Sequence, residues 1–479
     1  MRITRHLFVA LALVTGLAVL TPPGIVAASG RVPSWGRVTY LPGVPAGSST
    51  VSQAACTAPG NCTVVGVYPT DNPHTMFVST EVRGHWGPAR VLITGHPRTE
   101  ANALSCPDVR DCVVAGVYQS ADQMNQYSFI DSEVSGSWGT PQVVSLPNST
   151  GVDPNGGVAT VACASAGNCV VGGSDIINND GWVETESGGV WSAPVILGSL
   201  ASMVEYAACP VAGNCTVTGM IGADGGVFVD NFSNGVWQPP VEIANLIVPI
   251  NVQRSEGAAV DAISCVGVNY CVIGGDYPVD RSPSLTFFQQ PFVAVERNGV
   301  WGAAQPVPGA IAANIGGVGA TTNVQCWAVD RCVLAGFYGD HPYYRPWEDQ
   351  SSGSGWGAFV EPQRQGGGSN YGLPVGFGCA SPTVCVQIGS TGMSEAIGID
   401  NGLLGTIIGN AMVGYSWGGR WTAVHYLFSP WDGFASWTYV QTTACAPTGV
   451  YCLVGGGREL SKSATLPYHD QRAFVVAFS

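Results

Sequence analysis

The chain has 479 residues, and its 32 acidic and 18 basic side chains give a formal net charge of −14 at pH 7. Such a negative surface repels phosphate backbones, so the composition argues against a nucleic-acid partner. With 65 glycines, 32 prolines and only 10% charged residues, the sequence favours strands and turns over long amphipathic helices.

Residues 1–28 are predicted to be a secretory signal peptide. Arg2 and Arg5 precede the apolar run LFVALALVTGLAVL, and the small residues VAA lie directly before Ser29 as a cleavage site. This run of 14 residues is too short to span a bilayer. No later stretch is long and apolar enough for a membrane helix, so we expect a secreted, extracellular protein whose mature chain begins at Ser29.

Sixteen cysteines form eight consecutive pairs, with five residues between the members of seven pairs and six in the last. The intervening residues, such as TAPGN and ASAGN, are turn formers, so each pair is predicted at the two ends of a hairpin loop. In an oxidising compartment this regular spacing indicates a disulfide framework, whereas zinc sites use closer pairs with histidine partners. We therefore predict no metal and no cofactor. The predicted disulfides are Cys56–Cys62, Cys106–Cys112, Cys163–Cys169, Cys209–Cys215, Cys265–Cys271, Cys326–Cys332, Cys379–Cys385 and Cys445–Cys452.

Each cysteine pair is followed by the same series of apolar segments. Strands such as CVVAG carry a glycine four residues after the second cysteine, where a strand glycine indicates a bulge or a close backbone approach. Another apolar segment and a turn with tryptophan, as in GVWSAPVIL, complete four short strands per repeat. The repeat glycines are Gly66, Gly116, Gly173, Gly219, Gly275, Gly336, Gly389 and Gly456. The framework tryptophans are Trp35, Trp86, Trp138, Trp191, Trp237, Trp301, Trp356 and Trp421.

The spacing of the repeats, 46 to 66 residues between successive first cysteines, suits the blades of a β-propeller. Trp35 precedes the first cysteine pair, whereas the last pair is followed only by RAFVVAFS and the end of the sequence. The segment SWGRVTYLPG can therefore complete the eighth blade and remove the exposed sheet edges. We predict one all-β domain, residues 29–479, folded as an eight-bladed β-propeller of four-stranded blades.

The motifs SC-x5-CVVAG and GxWG-P-V resemble the cysteine-pair repeats of secreted actinobacterial β-propeller proteins, from about residue 32 to residue 479. This resemblance implies the fold and export, because such repeats mostly lack an assigned activity. Sialidase-type and fucose-lectin-type propellers are more distant comparisons, since the chain lacks an S-x-D-x-G-x-x-W box.

The four-strand order places the disulfide hairpins and the tryptophan turns on one face of the propeller, and the other loops on the opposite face. Variable loops on a rigid scaffold are the usual place for binding. Blades six to eight carry aromatic, acidic and arginine residues there, in YGDHPYYRPWEDQ, FSPWDGFASW and RELSKSATLPYHDQR. These residues can hold a sugar or a peptide, or can simply pack long loops onto the propeller. The candidate ligand-binding residues are His341, Tyr343, Tyr344, Arg345, Trp347, Glu348, Asp349, Trp431, Asp432, Arg458, His469, Asp470 and Arg472.

Two functions are compatible with these residues. The first is a monomeric binding protein, lectin-like toward glycans or a receptor for peptides. The second is a carbohydrate-active enzyme on the same face, a glycosidase, a sialidase-like hydrolase or a lyase, which would need two facing carboxylates or an arginine cluster. No catalytic residue can be assigned. GYSWG matches G-x-S-x-G around Ser416, but that elbow requires an α/β sheet, whereas here the segment aligns with a blade strand.

Overall fold

The computed structural model describes residues 33–69, 74–123, 125–146, 156–175, 178–222, 225–246, 257–279, 288–314, 317–340, 343–352, 355–357, 359–361, 374–391, 410–417, 420–422, 425–427, 438–459 and 471–479. The predicted signal peptide, residues 1–28, lies outside these ranges. Within them the chain forms 37 strands and one six-residue helix, α1 (Pro308–Ala313). None of the described helical structure is long and apolar enough to cross a membrane.

Eight antiparallel sheets follow one another along the chain, one for each cysteine repeat. Strand β1 (Thr39–Tyr40) precedes the first repeat. Blade one consists of β2 (Thr50–Ala58), β3 (Asn61–Tyr68), β4 (Thr75–Val82) and β5 (His85–Trp86), and blade two of β6 (Thr99–Asp108), β7 (Asp111–Gln119), β8 (Gln126–Val134), β9 (Ser137–Trp138) and β10 (Gln142–Val143). Blade three consists of β11 (Gly156–Ser165), β12 (Asn168–Asp175), β13 (Asp180–Ser187), β14 (Val190–Trp191) and β15 (Val195–Ile196), and blade four of β16 (Ala201–Val211), β17 (Asn214–Ile221), β18 (Gly226–Ser233), β19 (Val236–Trp237) and β20 (Val241–Glu242). Blade five consists of β21 (Ala259–Cys265), β22 (Cys271–Val279), β23 (Phe288–Arg297), β24 (Val300–Trp301) and β25 (Gln305–Pro306), and blade six of β26 (Val318–Ala328), β27 (Arg331–Asp340), β28 (Tyr343–Ser352) and β29 (Gly355–Trp356). Blade seven consists of β30 (Pro374–Ser381), β31 (Val384–Thr391), β32 (Asn410–Trp417), β33 (Arg420–Trp421) and β34 (His425–Tyr426). The strands of blade eight that belong to its cysteine repeat are β35 (Thr438–Cys445), β36 (Cys452–Glu459) and β37 (Gln471–Phe478).

The first strand of every blade is the innermost. Strands β2, β6, β11, β16, β21, β26, β30 and β35 each contact the next in this order, and β35 contacts β2, so the eight strands close a ring around a central axis. The eight-bladed propeller predicted from the repeat spacing is therefore confirmed. In five blades the outermost strand is split into two short pieces, which both pair with the third strand.

The N-terminal strand closes the ring as predicted. Strand β1 pairs with β37, which places Thr39 opposite Val475 and Tyr40 opposite Phe474. The Gly36 amide donates a hydrogen bond of 2.7 Å to the Ala477 carbonyl. Blade eight therefore takes its outer strand from the start of the described chain.

Each disulfide joins the two cysteines of one repeat, and all 16 cysteines are paired in this way. In six blades the two cysteines are direct cross-strand partners on the first hairpin, for example Cys163 opposite Cys169. The tryptophan turn lies against this hairpin, since the Gly84 amide donates to the Gly60 carbonyl at 2.8 Å. The hairpin interpretation of the cysteine spacing is confirmed.

The repeat glycine is required by a close approach of the innermost strand. A Cβ atom on Gly116 would lie 2.0 Å from the Glu100 carbonyl oxygen and 2.8 Å from the ring of Phe129. The ladder between β6 and β7 shifts register at the same point, between Ala101 and Ala103. Both predicted explanations, a bulge and a close backbone approach, therefore hold at this position.

Replacing Gly116 with alanine is expected to lower the free energy of unfolding by about 1 to 3 kcal/mol, because the added carbon forces the inner strand or Phe129 to move. Denaturant titration measures the effect. Gly222→Ala is the control, because a Cβ there meets no atom within 4 Å. Equal destabilisation by the two substitutions would contradict the close-approach explanation.

Candidate functional site

Five of the predicted ligand-binding residues, His341, Trp431, Asp432, His469 and Asp470, lie outside the described residues. The side chain of Tyr343 is also outside them, although its backbone begins β28. The ligand-binding role of these residues therefore stays a prediction.

The segment YYRPWEDQ of blade six is a strand, so the loop location predicted for Trp347 is wrong. Strand β28 pairs with β27 and sets Trp347 directly opposite the repeat glycine Gly336. The indole is fully buried, at 0% exposure, and stacks on Phe359 with ring centroids 6.0 Å apart. Phe129 holds the same place opposite Gly116 in blade two. Trp347 is therefore a further framework aromatic, with no exposed face for a ligand.

Glu348 and Asp349 also serve the framework of blade six. Glu348 is buried, and its Oε2 accepts a hydrogen bond of 2.7 Å from Nε1 of Trp421 in blade seven. Asp349 Oδ1 accepts from the Gly357 amide at 3.0 Å, just beyond the tryptophan turn. These bonds fix the turn and the contact between blades, which accounts for both carboxylates without a ligand.

The predicted arginines occupy two different blades. Arg458 and Arg472 are direct cross-strand partners in blade eight, whereas Arg345 is exposed on β28 of blade six. Ser416 lies in the third strand of blade seven, where its Oγ accepts from the Cys385 amide at 3.0 Å. The interpretation of GYSWG as a blade strand is therefore confirmed.

A different set of residues lies on the innermost strands. In all eight innermost strands one residue is bulged out of the ladder, four positions before the first cysteine of the repeat. Six of these residues are uncharged, but Glu205 and Asp261, in the neighbouring blades four and five, are acidic. The eight bulged residues are Ser52, Asn102, Ala159, Glu205, Asp261, Thr322, Val375 and Gln441.

A third carboxyl group lies beside these two. Asp276 directly follows the repeat glycine Gly275 and pairs with Ala259 on the innermost strand of blade five. Its side chain is 7% exposed. Asp276 Oδ2 and Glu205 Oε2 are buried and receive no hydrogen bond from the described residues. We call Glu205, Asp261 and Asp276 the axial acidic sector.

The three carboxyls of the sector have strongly raised pKa values. Burial raises the pKa of Glu205 to about 7, with a further contribution from the negative charge of Asp261. Burial also raises the pKa of Asp261 to about 7. For Asp276, burial and the charges of Asp261 and Glu205 together raise the pKa to about 8. Ionising all three groups is therefore unfavourable unless a positive charge joins them.

Within the described ranges, no three His, Cys, Asp or Glu side chains are placed to hold a metal. Buried carboxylate oxygens without donors favour a ligand that brings both hydrogen-bond donors and positive charge.

The sequence contains a signal for this sector that lies outside the motifs described above. Acidic residues occur four positions before the first cysteine in repeats four and five alone. This spacing becomes informative only when the bulge and the innermost position of the strand are known. In an irregular strand, a spacing of four residues along the sequence does not show on which side of the strand a side chain lies.

The sequence matches no protein-family model and no curated protein. Among solved structures, Sqt1 from Chaetomium thermophilum is 11% identical over 92% of this chain and 98% of its own, with a TM-score of 0.50. An ulvan lyase of a polysaccharide lyase family is 10% identical over 75% and 89% of the two chains, with a TM-score of 0.45. A subtype N11 neuraminidase-like protein of a flat-faced bat isolate from Peru is 9% identical over 92% and 97%, with a TM-score of 0.38. These distant similarities concern the propeller fold alone.

Proposed function

We propose that the chain is an exported binding protein whose ligand presents a cationic group, such as a lysine or arginine side chain of a peptide, to the axial acidic sector. The observation that carries this proposal is the pair of buried carboxylate oxygens, Glu205 Oε2 and Asp276 Oδ2, which receive no hydrogen bond from the described residues. A buried acceptor without a donor lowers stability by about 1 to 3 kcal/mol. A ligand that supplies the donor removes this penalty, which favours binding.

The disulfides and the closed ring support this role. Eight local disulfides persist in an oxidising environment, which favours the secreted, extracellular location predicted from the sequence. Closure of the ring by β1 holds the neighbouring strands β16 and β21 in a fixed arrangement, so their acidic residues are positioned before a ligand arrives.

The charge of the sector favours a basic peptide over the neutral glycan that the sequence also allowed. Sugar hydroxyls can donate hydrogen bonds to carboxylates, but they leave the repulsion among Glu205, Asp261 and Asp276 in place. An ammonium or guanidinium group removes this repulsion and donates charge-assisted hydrogen bonds.

The test is a paired peptide and glycan array, read for retention and for product release. We expect retention of lysine- or arginine-containing peptides, and a loss of affinity of at least about tenfold in Glu205→Gln/Asp261→Asn, since hydrogen bonds to charged groups contribute about 1.5 to 3 kcal/mol. Thr322→Val is the matched control, because Thr322 occupies the same bulge in blade six. Retention of neutral glycans alone would contradict the cationic ligand.

The pH dependence of stability provides a further prediction. The sector carboxyls have pKa values of about 7 to 8 in the fold, against 3.8 for Asp and 4.5 for Glu as reference values. The folded chain therefore binds more protons, so the stability contributed by the sector falls as pH rises from about 4 to about 8. We expect urea titrations to show a shallower fall in Glu205→Gln/Asp261→Asn than in the parent. Parallel slopes would show that these carboxyls titrate normally.

A carbohydrate-active enzyme is the second candidate, and the raised pKa values favour it specifically. A carboxylic acid with a pKa near 7 is protonated often enough at neutral pH to act as a general acid, as Glu205 or Asp261 would. If the parent protein releases sugar products and Glu205→Gln does not, the chain is a carbohydrate-active enzyme and the proposed binding function is wrong.

A further inference from the structure

A cleft separates blades two and three on the face that carries the disulfide hairpins and tryptophan turns. Its volume is about 330 Å³, and its walls include both disulfide hairpins, Gln142, Glu133, Glu186 and Trp191. We call this the interblade cleft. It lies away from the axial acidic sector, which is formed by blades four and five.

Two glutamates of the interblade cleft occupy the same repeat position in blades two and three. Glu133 and Glu186 each lie directly opposite the framework tryptophan of their own blade. Each is only 5% exposed. The Oε2 atom of each is buried without a hydrogen-bond partner among the described residues.

The same repeat position is satisfied in other blades. Glu81 of blade one accepts a hydrogen bond of 2.9 Å from the hydroxyl of Tyr451 in blade eight. Glu296 of blade five accepts one of 3.0 Å from Nδ2 of Asn231 in blade four. In both cases a neighbouring blade provides the donor. Glu133 and Glu186 instead face a cleft large enough for a small organic group.

The wall of the cleft is fixed in place by a tryptophan. Nε1 of Trp191 donates to Ser132 Oγ of blade two at 3.3 Å, which holds the indole against the neighbouring blade. The corresponding Trp237 makes the same kind of bond to Thr185 at 3.2 Å, so this contact belongs to the framework. A ring held beside carboxylates provides a surface for cation–π contact.

We propose that the interblade cleft binds an organic cation, with an alkyl guanidinium or ammonium group between Glu133 and Glu186 and its alkyl part against Trp191. The described residues that line the cleft include Asp111, Glu133 and Glu186 but no basic side chain. A neutral ligand would leave the negative charge of Glu186 uncompensated. A planar guanidinium offers five donors and can reach two carboxylates together.

Glu186 is the main anchor of the proposed site. Burial and the charge of Asp111 raise the pKa of Glu133 against the opposing charges of Arg110 and Arg90, whereas burial alone raises the pKa of Glu186. The binding free energy of the cation is therefore expected to come mainly from neutralising the charge of Glu186. The site does not depend on the axial acidic sector.

The test is calorimetric titration with agmatine, a butyl chain with a guanidinium at one end and an ammonium at the other, and with N-butylurea as an uncharged alkyl probe of similar length. The titrations use the full-length mature chain carrying Glu205→Gln/Asp261→Asn, so that the axial acidic sector cannot account for binding. We expect agmatine to bind and butylurea not to bind. Glu186→Gln and, separately, Glu133→Gln should each weaken agmatine binding at least about tenfold, as expected for the loss of a charge-assisted hydrogen bond.

Glu296→Gln is the matched control, because it makes the same chemical change where Asn231 already satisfies the carboxylate. It should leave agmatine affinity unchanged. Glu186→Gln is expected to fold and to raise the melting temperature, since it removes an unpaired buried charge. The proposal is overturned if agmatine does not bind, if butylurea binds equally well, or if neither cleft substitution weakens binding more than Glu296→Gln does.

Discussion

A mature chain lacking residues 29–45 is expected to lose more than about 3 kcal/mol of unfolding free energy, because the deletion removes a buried leucine together with the outer strand of blade eight. Leu41 is 4% exposed, and Trp35 packs on Phe478 with ring centroids 5.0 Å apart. The deletion also leaves the edge of β37 without its partner β1. Thermal and denaturant unfolding of the purified chain measure the loss.

A peptide control distinguishes the lost strand from general damage. A synthetic peptide of residues 34–45, added to the truncated protein, should restore part of the melting temperature, since it can pair with β37 again. The same peptide carrying Leu41→Asp should not. An unchanged melting temperature after the deletion would refute closure of the ring by the N-terminal strand.

The substitution Trp347→Ala is expected to cost about 3 to 5 kcal/mol of unfolding free energy, as removal of a large buried aromatic does. Its indole is fully buried between Gly336 and Phe359. The sequence instead placed Trp347 among the candidate ligand-binding residues of a loop.

Val300→Ala is the control for this substitution, because Val300 is 69% exposed. Its effect should stay within about 0.5 kcal/mol, as for most surface substitutions. If Trp347→Ala instead keeps the parent's melting temperature and weakens ligand retention, the tryptophan belongs to a binding surface and its framework role is refuted.

The architecture was predictable because its signals are local and repeated. Cys163 and Cys169 mark the two ends of one hairpin, and a two-residue turn between them leaves little choice of register. Trp35, placed ahead of the first cysteine pair, predicted that the missing strand of blade eight comes from the N-terminal side, and its bridge to Phe478 agrees.

Local signals were misleading at blade six. The charges and the proline of YYRPWEDQ are typical of an exposed loop, yet this segment pairs with β27 from Tyr343 to Gln350. The buried place of Trp347 depends on this pairing, which sets it opposite Gly336, where only a residue without a side chain leaves room for the ring. A framework position can therefore hold Phe129 in one blade and Trp347 in another without a shared sequence around it.

The sequence by itself determined the number of blades, the disulfide pairs, the repeat glycine and the strand that closes the ring, because each of these depends on residues close together in one repeat or on the order of repeats. Only the tertiary structure decided which polar side chains find a partner. Glu296 is satisfied by Asn231 of the preceding blade, whereas Glu186 lines the interblade cleft and Glu205 lies in the bulge of an innermost strand. That difference arises where separate blades meet, and the free energy of a buried carboxylate depends on the neighbour that supplies a donor rather than on its own repeat.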